Sequence, residues 1–150
     1  MRFSLQVQYA ICGVFDLAYN GHGEPVRIRE ISERQGIPAR YLEQIFQRLR
    51  RAQIVASKRG PGGGYTLARP AAEITLRAVV EAVEGPLTSA FASPAAPDSE
   101  SGPRRPDFIW KGLAERFAGV LEDTDLEQLC LEAERSDVER VQPDAPMYFI

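Results

Sequence analysis

Thiols and imidazoles are scarce in this chain. Two cysteines, Cys12 and Cys130, and a single histidine, His22, are spread over 150 residues without a CxxC pair. A structural zinc site needs four Cys or His ligands and an iron–sulfur centre needs about as many, so one chain cannot supply either. No metal and no cofactor is expected. Long apolar runs are missing too: nothing approaches the roughly 18 residues of a membrane span, and the opening MRFSLQVQYA carries no signal-peptide cleavage pattern. The expectation is a cytoplasmic protein. The parts of an enzyme are also absent, since no nucleophile with a base, no carboxylate pair in a pocket and no GxxxxGK[ST] phosphate loop can be assembled.

Positive charge is in short supply overall, with a net charge of -3 and a pI near 5.3. The shortage is local. Residues 1–69 hold 11 Lys and Arg against 5 Asp and Glu, whereas residues 70–150 hold 7 against 16. Phosphate affinity depends on the local basic surface, so the first half can face DNA while the acidic half stays off it. At 44% hydrophobic content the chain can bury one ordinary core and hardly two.

What is present is a stretch from Arg27 to Leu67 written like a winged helix-turn-helix. A helix over 3–20, with Val7, Ile11, Val14 and Ala18 on one stripe, precedes it and stops at Asn20-Gly21. His22, in the turn that follows, reads as a solvated loop residue. A helix over 28–35 has no evident N-cap. Gly36 supplies a turn, and Pro38 presets the start of a third helix over 38–52 that buries Leu42, Ile45, Phe46 and Leu49.

The opposite face of that helix carries Arg40, Glu43, Gln44, Gln47 and Arg51, with Tyr41 beside them. Gln44 can pair with adenine, Arg40 with guanine or a phosphate, and Glu43 can accept from cytosine. A merely solvated face would look much the same. The hairpin behind it favours DNA: IVASKR and YTLA flank Gly60-Pro61-Gly62-Gly63-Gly64, and Lys58, Arg59 and Gly60 suit a wing that touches the backbone or minor groove. Arg2 is a further candidate phosphate contact.

A helix over 74–84 is capped by Thr75 and ended by Gly85-Pro86. Residues 86–106 are rich in Pro, Ser and Ala and read as a flexible linker. Beyond it, Trp110, Leu113, Phe117 and Val120 mark a helix with more apolar surface than its own lobe can cover, which points to a dimerisation helix; packing within one chain is the alternative. A last helix starts at Thr124 with a capping box to Glu127. The resulting division is 1–85 for DNA binding, 86–106 for the linker, 107–135 for dimerisation and 136–150 for a tail. The tail ends in Met147, Tyr148, Phe149 and Ile150, either a hook for a partner or a segment tucked onto its own domain.

ISERQGI at 31–37, YLEQ at 41–44 with Arg48-Leu49-Arg50, and RGPGGGY at 59–65 resemble the Rrf2 family of bacterial transcription regulators. The resemblance covers about residues 1–85 closely and the helix around Trp110 more loosely. It implies a mainly α fold with a small β-hairpin wing, and a homodimer joined through a long helix. Members that sense iron–sulfur status carry clustered cysteines between the fourth and the dimerisation helix, where residues 86–107 of this chain hold no Cys or His and Asp107 stands near Trp110. That departure argues against a cluster of the usual kind and leaves Cys12 as a buried or redox-sensitive thiol. Glu84-Gly85-Pro86, TDLEQL at 124–129 and the terminal MYFI are similar to the cluster-free cysteine-metabolism repressors of the family. This implies a repressor of cysteine or sulfur genes on palindromic DNA, with cysteine synthase (O-acetylserine sulfhydrylase) as a tail partner. The alternatives are an iron–sulfur or nitric oxide responsive regulator, and an interaction module acting only on that enzyme. Residues 5–8, Leu-Gln-Val-Gln, are less basic than in many relatives, which would weaken a phosphate clamp there.

Overall fold

Ser4 starts the first helix by accepting a hydrogen bond from the Val7 amide at 3.2 Å. In this computed structural model, which describes residues 2–91 and 105–142, that helix is α1 (Leu5–Asn20). It is followed by α2 (Ile28–Gln35), α3 (Ala39–Arg51), the antiparallel hairpin β1 (Val55–Lys58) and β2 (Gly64–Leu67), α4 (Leu76–Glu84), a short α5 (Leu87–Ala90), α6 (Phe108–Glu122) and α7 (Leu126–Arg135). The fold is mainly helical with a two-stranded wing, as the sequence led us to expect. No described helix is long and apolar enough to cross a membrane.

The main core forms around α1. Ala10, Val14 and Leu17 meet Ile31 of α2, Leu42, Ile45, Phe46 and Leu49 of α3, and Val79 and Val83 of α4, all buried. Gly13 permits the closest approach: a Cβ there would lie 3.0 Å from the Phe46 ring and 3.1 Å from Leu42. Close packing of this kind tolerates little added volume, so α1 and α3 are registered on each other.

Several boundaries differ from the sequence reading, each for a local reason. The α2 start does have a cap, since the Glu30 carboxylate accepts from the Arg27 amide at 2.8 Å. The α7 cap is Asp125 with Gln128 rather than Thr124 with Glu127: Asp125 accepts from the Gln128 amide at 2.9 Å. Asp125 is held in extended backbone by its bridge to Thr75, and the Thr124 carbonyl accepts from Leu76 N at 2.8 Å, so the helix can begin only after them.

The expected division after residue 85 is not how the core divides. Leu126 of α7 is fully buried in the main core and Leu129 packs against it. Within the linker expected over 86–106, Leu87–Ala90 is helical and Leu87 is buried with Val7, Val80, Ala118 and Leu121 in a second cluster under α6, while residues 92–104 lie outside the described residues. The start of the expected tail is docked as well. Tyr19 Oη donates to the Val138 carbonyl at 2.8 Å, Arg140 Nε donates to the Tyr19 carbonyl at 2.6 Å, and Val141 N donates to Asn20 Oδ1 at 2.9 Å. Met147 to Ile150 lie outside the described residues.

Candidate nucleic-acid interface

Pro38 fixes the chain entering α3, and the unpaired amides of the first turn give that end partial positive charge. Arg40, Tyr41, Glu43, Gln44, Gln47 and Arg51 are all exposed on the outward face, so the structure brings the six α3 candidates together. Arg40 is preorganised: it donates to Tyr41 Oη at 3.0 Å, and its guanidinium sits 4.8 Å from the centre of the Tyr41 ring. Gln44 and Tyr41 share a small cleft with Gln6 of α1 and Arg48.

Arg48 lines the candidate cleft although side-chain spacing alone did not single it out. It donates to Gln6 Oε1 at 2.9 Å and to the Val83 carbonyl at 3.2 Å, tying α3 to α1 and α4 at once. The neutral Gln6, which stands where a basic residue was expected from the resemblance, therefore serves as an anchor for α3. Arg2 is not brought to this cleft; it lines a separate cavity with Glu84, Phe91 and Phe117.

The wing is held by more than its own hairpin. Lys58 pairs with Gly64 across the strands, and the tip is closed by Gly63 N donating to the Gly60 carbonyl at 2.9 Å, leaving Lys58, Arg59 and Gly60 exposed. Val26, in the loop between α1 and α2, exchanges both backbone hydrogen bonds with Tyr65, at 2.9 and 2.8 Å. Gly64 makes this possible: with φ at +151° its missing Cβ would stand 2.5 Å from the Val26 carbonyl oxygen. At the base of the wing Arg50 donates to Ser57 Oγ at 3.1 Å and lines a hollow with Arg69, two cations the sequence reading did not include.

Beneath the helix-turn-helix lies a buried ion pair that periodicity could not reveal. Asp16 is fully buried on α1 and accepts from Arg34 Nε and Nη2 and from Gln35 Nε2 of α2, with the closest contact 2.7 Å. Hydrogen bonding to Asp16 holds the Arg34 guanidinium above its ordinary pKa, burial opposing it. An acid inside an apolar helix was the available signal.

The four residues expected on the dimerisation face lie along one side of α6 but differ in exposure. Trp110 and Phe117, one heptad apart, are half-buried, and Phe117 touches Phe3 and Phe91 at ring-centre distances of 5.9 and 5.4 Å. Leu113 and Val120 are the outward pair, joined by Phe108 and Ile109. Val120 is 65% exposed, so among the described residues this part of the helix is left uncovered, as is Phe108 at its start.

Cys12 is exposed rather than buried, in a groove with Ile11, Phe15 and Leu129, and Cys130 on α7 is half-buried. Desolvation pushes both thiols up, whereas a metal ligand or reactive thiolate needs the opposite. His22 is turned to the Val141 carbonyl at 2.7 Å. Among the described residues no three His, Cys, Asp or Glu side chains gather where they could hold a cation.

Three comparisons bear on this arrangement. A family profile, Rrf2, described as iron-dependent transcriptional regulator, matches residues 3–132. The HTH-type transcriptional regulator IscR of Serratia proteamaculans is 40% identical over 130 residues, 86% of this chain and 79% of that protein. Among solved structures, CymR, the global cysteine regulator of B. subtilis, is similar with a TM-score of 0.72 at 28% identity, covering 88% of this chain and 98% of that one. IscR of T. potens also gives 0.72, at 29% identity over 99% and 97% of the two chains.

Proposed function

This chain belongs to the Rrf2 family of transcription regulators, and on that premise we propose that it binds palindromic DNA as a homodimer and acts as a repressor through the outward face of α3. The observation that carries the reading is the coincidence of that polar face with a basic wing locked to the same lobe. Arg40, Glu43 and Gln44 would contact base edges, Gln47, Arg51, Lys58 and Arg59 the backbone, and Leu113 and Val120 a second copy.

Relationship by sequence favours the iron–sulfur or redox-responsive alternative over control of cysteine metabolism, because IscR of S. proteamaculans is 40% identical, whereas the structural matches to CymR and to IscR are equally good. The donor set does not fit a cluster of the usual kind: the thiols lie on α1 and α7, and residues 86–107 hold no Cys or His. The kinship with IscR is therefore read through the DNA-binding lobe, and no step of regulation is routed through a cluster. Likeness to CymR keeps the cysteine reading as the second one. A pull-down of cysteine synthase with the intact chain and with one lacking Ile150 separates the two.

The decisive test is DNA binding at stated salt. Gln44→Ala should cost about 1–3 kcal/mol on the cognate operator and relax one base position. Equal losses on cognate and random DNA would remove Gln44 from readout. Failure of the wild-type chain to shift any operator at moderate salt would leave only the interaction module.

A further inference from the structure

A cavity of about 400 Å³ opens between the start of α1 and helices α4, α5 and α6. Interiors are packed too densely to leave such a space by default, and the volume lies in the range of small-molecule sites. Its walls are aromatic: Phe3, Phe91 and Phe117 surround it, with Phe117 touching both of the others. Its floor is apolar, including Val80. Polar groups stand only at the rim, where the Ser4 hydroxyl donates to the Glu84 carboxylate and Arg2 is exposed.

We propose that this cavity binds a small aromatic carboxylate, its ring among the three phenylalanines and its anionic group on Arg2. The choice of charge follows from the rim. Glu84 is already engaged by Ser4, whereas Arg2 makes no ion pair among the described residues and can offer two parallel donors to a carboxylate. Rings packed edge or face against phenylalanine give the body its affinity, and the guanidinium gives it orientation.

The site is placed to matter for DNA. The α1 segment that contributes Phe3 and Ser4 also contributes Gln6, which holds Arg48 of α3, and Arg48 in turn holds the end of α4 at Val83. Phe117 belongs to the helix that also carries the exposed Leu113 and Val120, the residues proposed to meet a second copy. An occupant would brace the joint between the recognition helix and that face, changing how two lobes fit two half-sites. This coupling rests on the regulator reading above.

Phenylacetate is the probe, with phenylacetamide as its neutral control, titrated into the full chain by calorimetry and into its operator complex by fluorescence anisotropy. We expect saturable binding with a Kd below about 1 mM, weaker by about tenfold for phenylacetamide and for the Arg2→Gln variant. Phe91→Ala should weaken it by a similar factor, and ligand should change operator affinity by at least about threefold. Absence of saturable binding to about 10 mM, as when the cavity is filled by the chain itself or by a second copy, overturns the proposal. So does binding indifferent to both Arg2→Gln and Phe91→Ala. Operator affinity without ligand is read in the same samples: if it is retained while phenylacetate does nothing, the site alone fails, and if it is missing, the regulator reading fails.

Discussion

Helices α3 and α6 are close in length and each packs one stripe inward, yet they turn opposite chemistries outward. The first buries Leu42, Ile45, Phe46 and Leu49 and offers Arg40, Gln44, Gln47 and Arg51 to solvent. The second sinks only Ala114, Ala118 and Leu121 and leaves Phe108, Ile109, Leu113 and Val120 exposed. A polar face can exchange water for base edges and phosphates, but an apolar one gains only when another apolar surface covers it. Two amphipathic helices of one chain thus present surfaces suited to different partners, as the proposed function has it, and the charge split between the halves runs the same way.

The comparison can be broken at several points. The largest effect is expected where the α3 face depends on what lies beneath it. Asp16→Ala leaves Arg34 and Gln35 without their shared acceptor and should lower unfolding free energy by about 3–5 kcal/mol in urea titrations; a loss below about 1 kcal/mol would mean that α2 is held on α1 by apolar packing alone. Next comes the α6 face. Leu113→Glu combined with Val120→Glu should convert the dimer to monomer in sedimentation velocity and weaken operator binding by about 100-fold. If the dimer survives, the exposed apolar face is not the subunit contact and the contrast with α3 fails. Smaller again is the wing: Arg59→Ala should weaken all sequences alike and reduce the salt slope by about one, while a sequence-selective loss would transfer readout from α3 to the wing. The mildest test concerns the thiols. Their pKa values are raised, so at neutral pH the thiolate fraction falls and iodoacetamide should label Cys12 and Cys130 several-fold more slowly than a free thiol at about 8.5, catching up only at alkaline pH. Fast labelling at pH 7 would restore the redox reading of Cys12.

Much of α3 and its wing was legible because their signals are local. Leu42 to Leu49 repeat at helical spacing, five residues of Gly and Pro mark the hairpin tip, and Thr75 caps α4 as its position suggests, accepting from Ala78 N at 3.2 Å. The features that escaped depend on partners distant in sequence. Asp16 meets Arg34 eighteen positions on, Arg140 reaches back to Tyr19, and Leu126 enters a core built mostly from the first half. Periodicity shows that a stripe exists without showing what it meets. Phe117 and Val120 therefore looked alike, although one faces Phe3 and Phe91 and the other faces solvent. Leu87, one of two large apolar groups with Phe91 in a Pro- and Ser-rich stretch, gave no sign that it would pack under α6.

The pairing of Val26 with Tyr65 across Gly64 makes the lobe a caliper with a welded hinge. Helix α3 is one jaw and the wing tip the other, and the Phe46 ring meets Tyr65 edge-on at 5.0 Å between them. Such an instrument has one gap. If α3 and the wing contact DNA as proposed, a gap fixed by these contacts would leave the duplex to supply the matching groove width, and operators whose base steps deform easily toward that width would be favoured at positions no side chain touches.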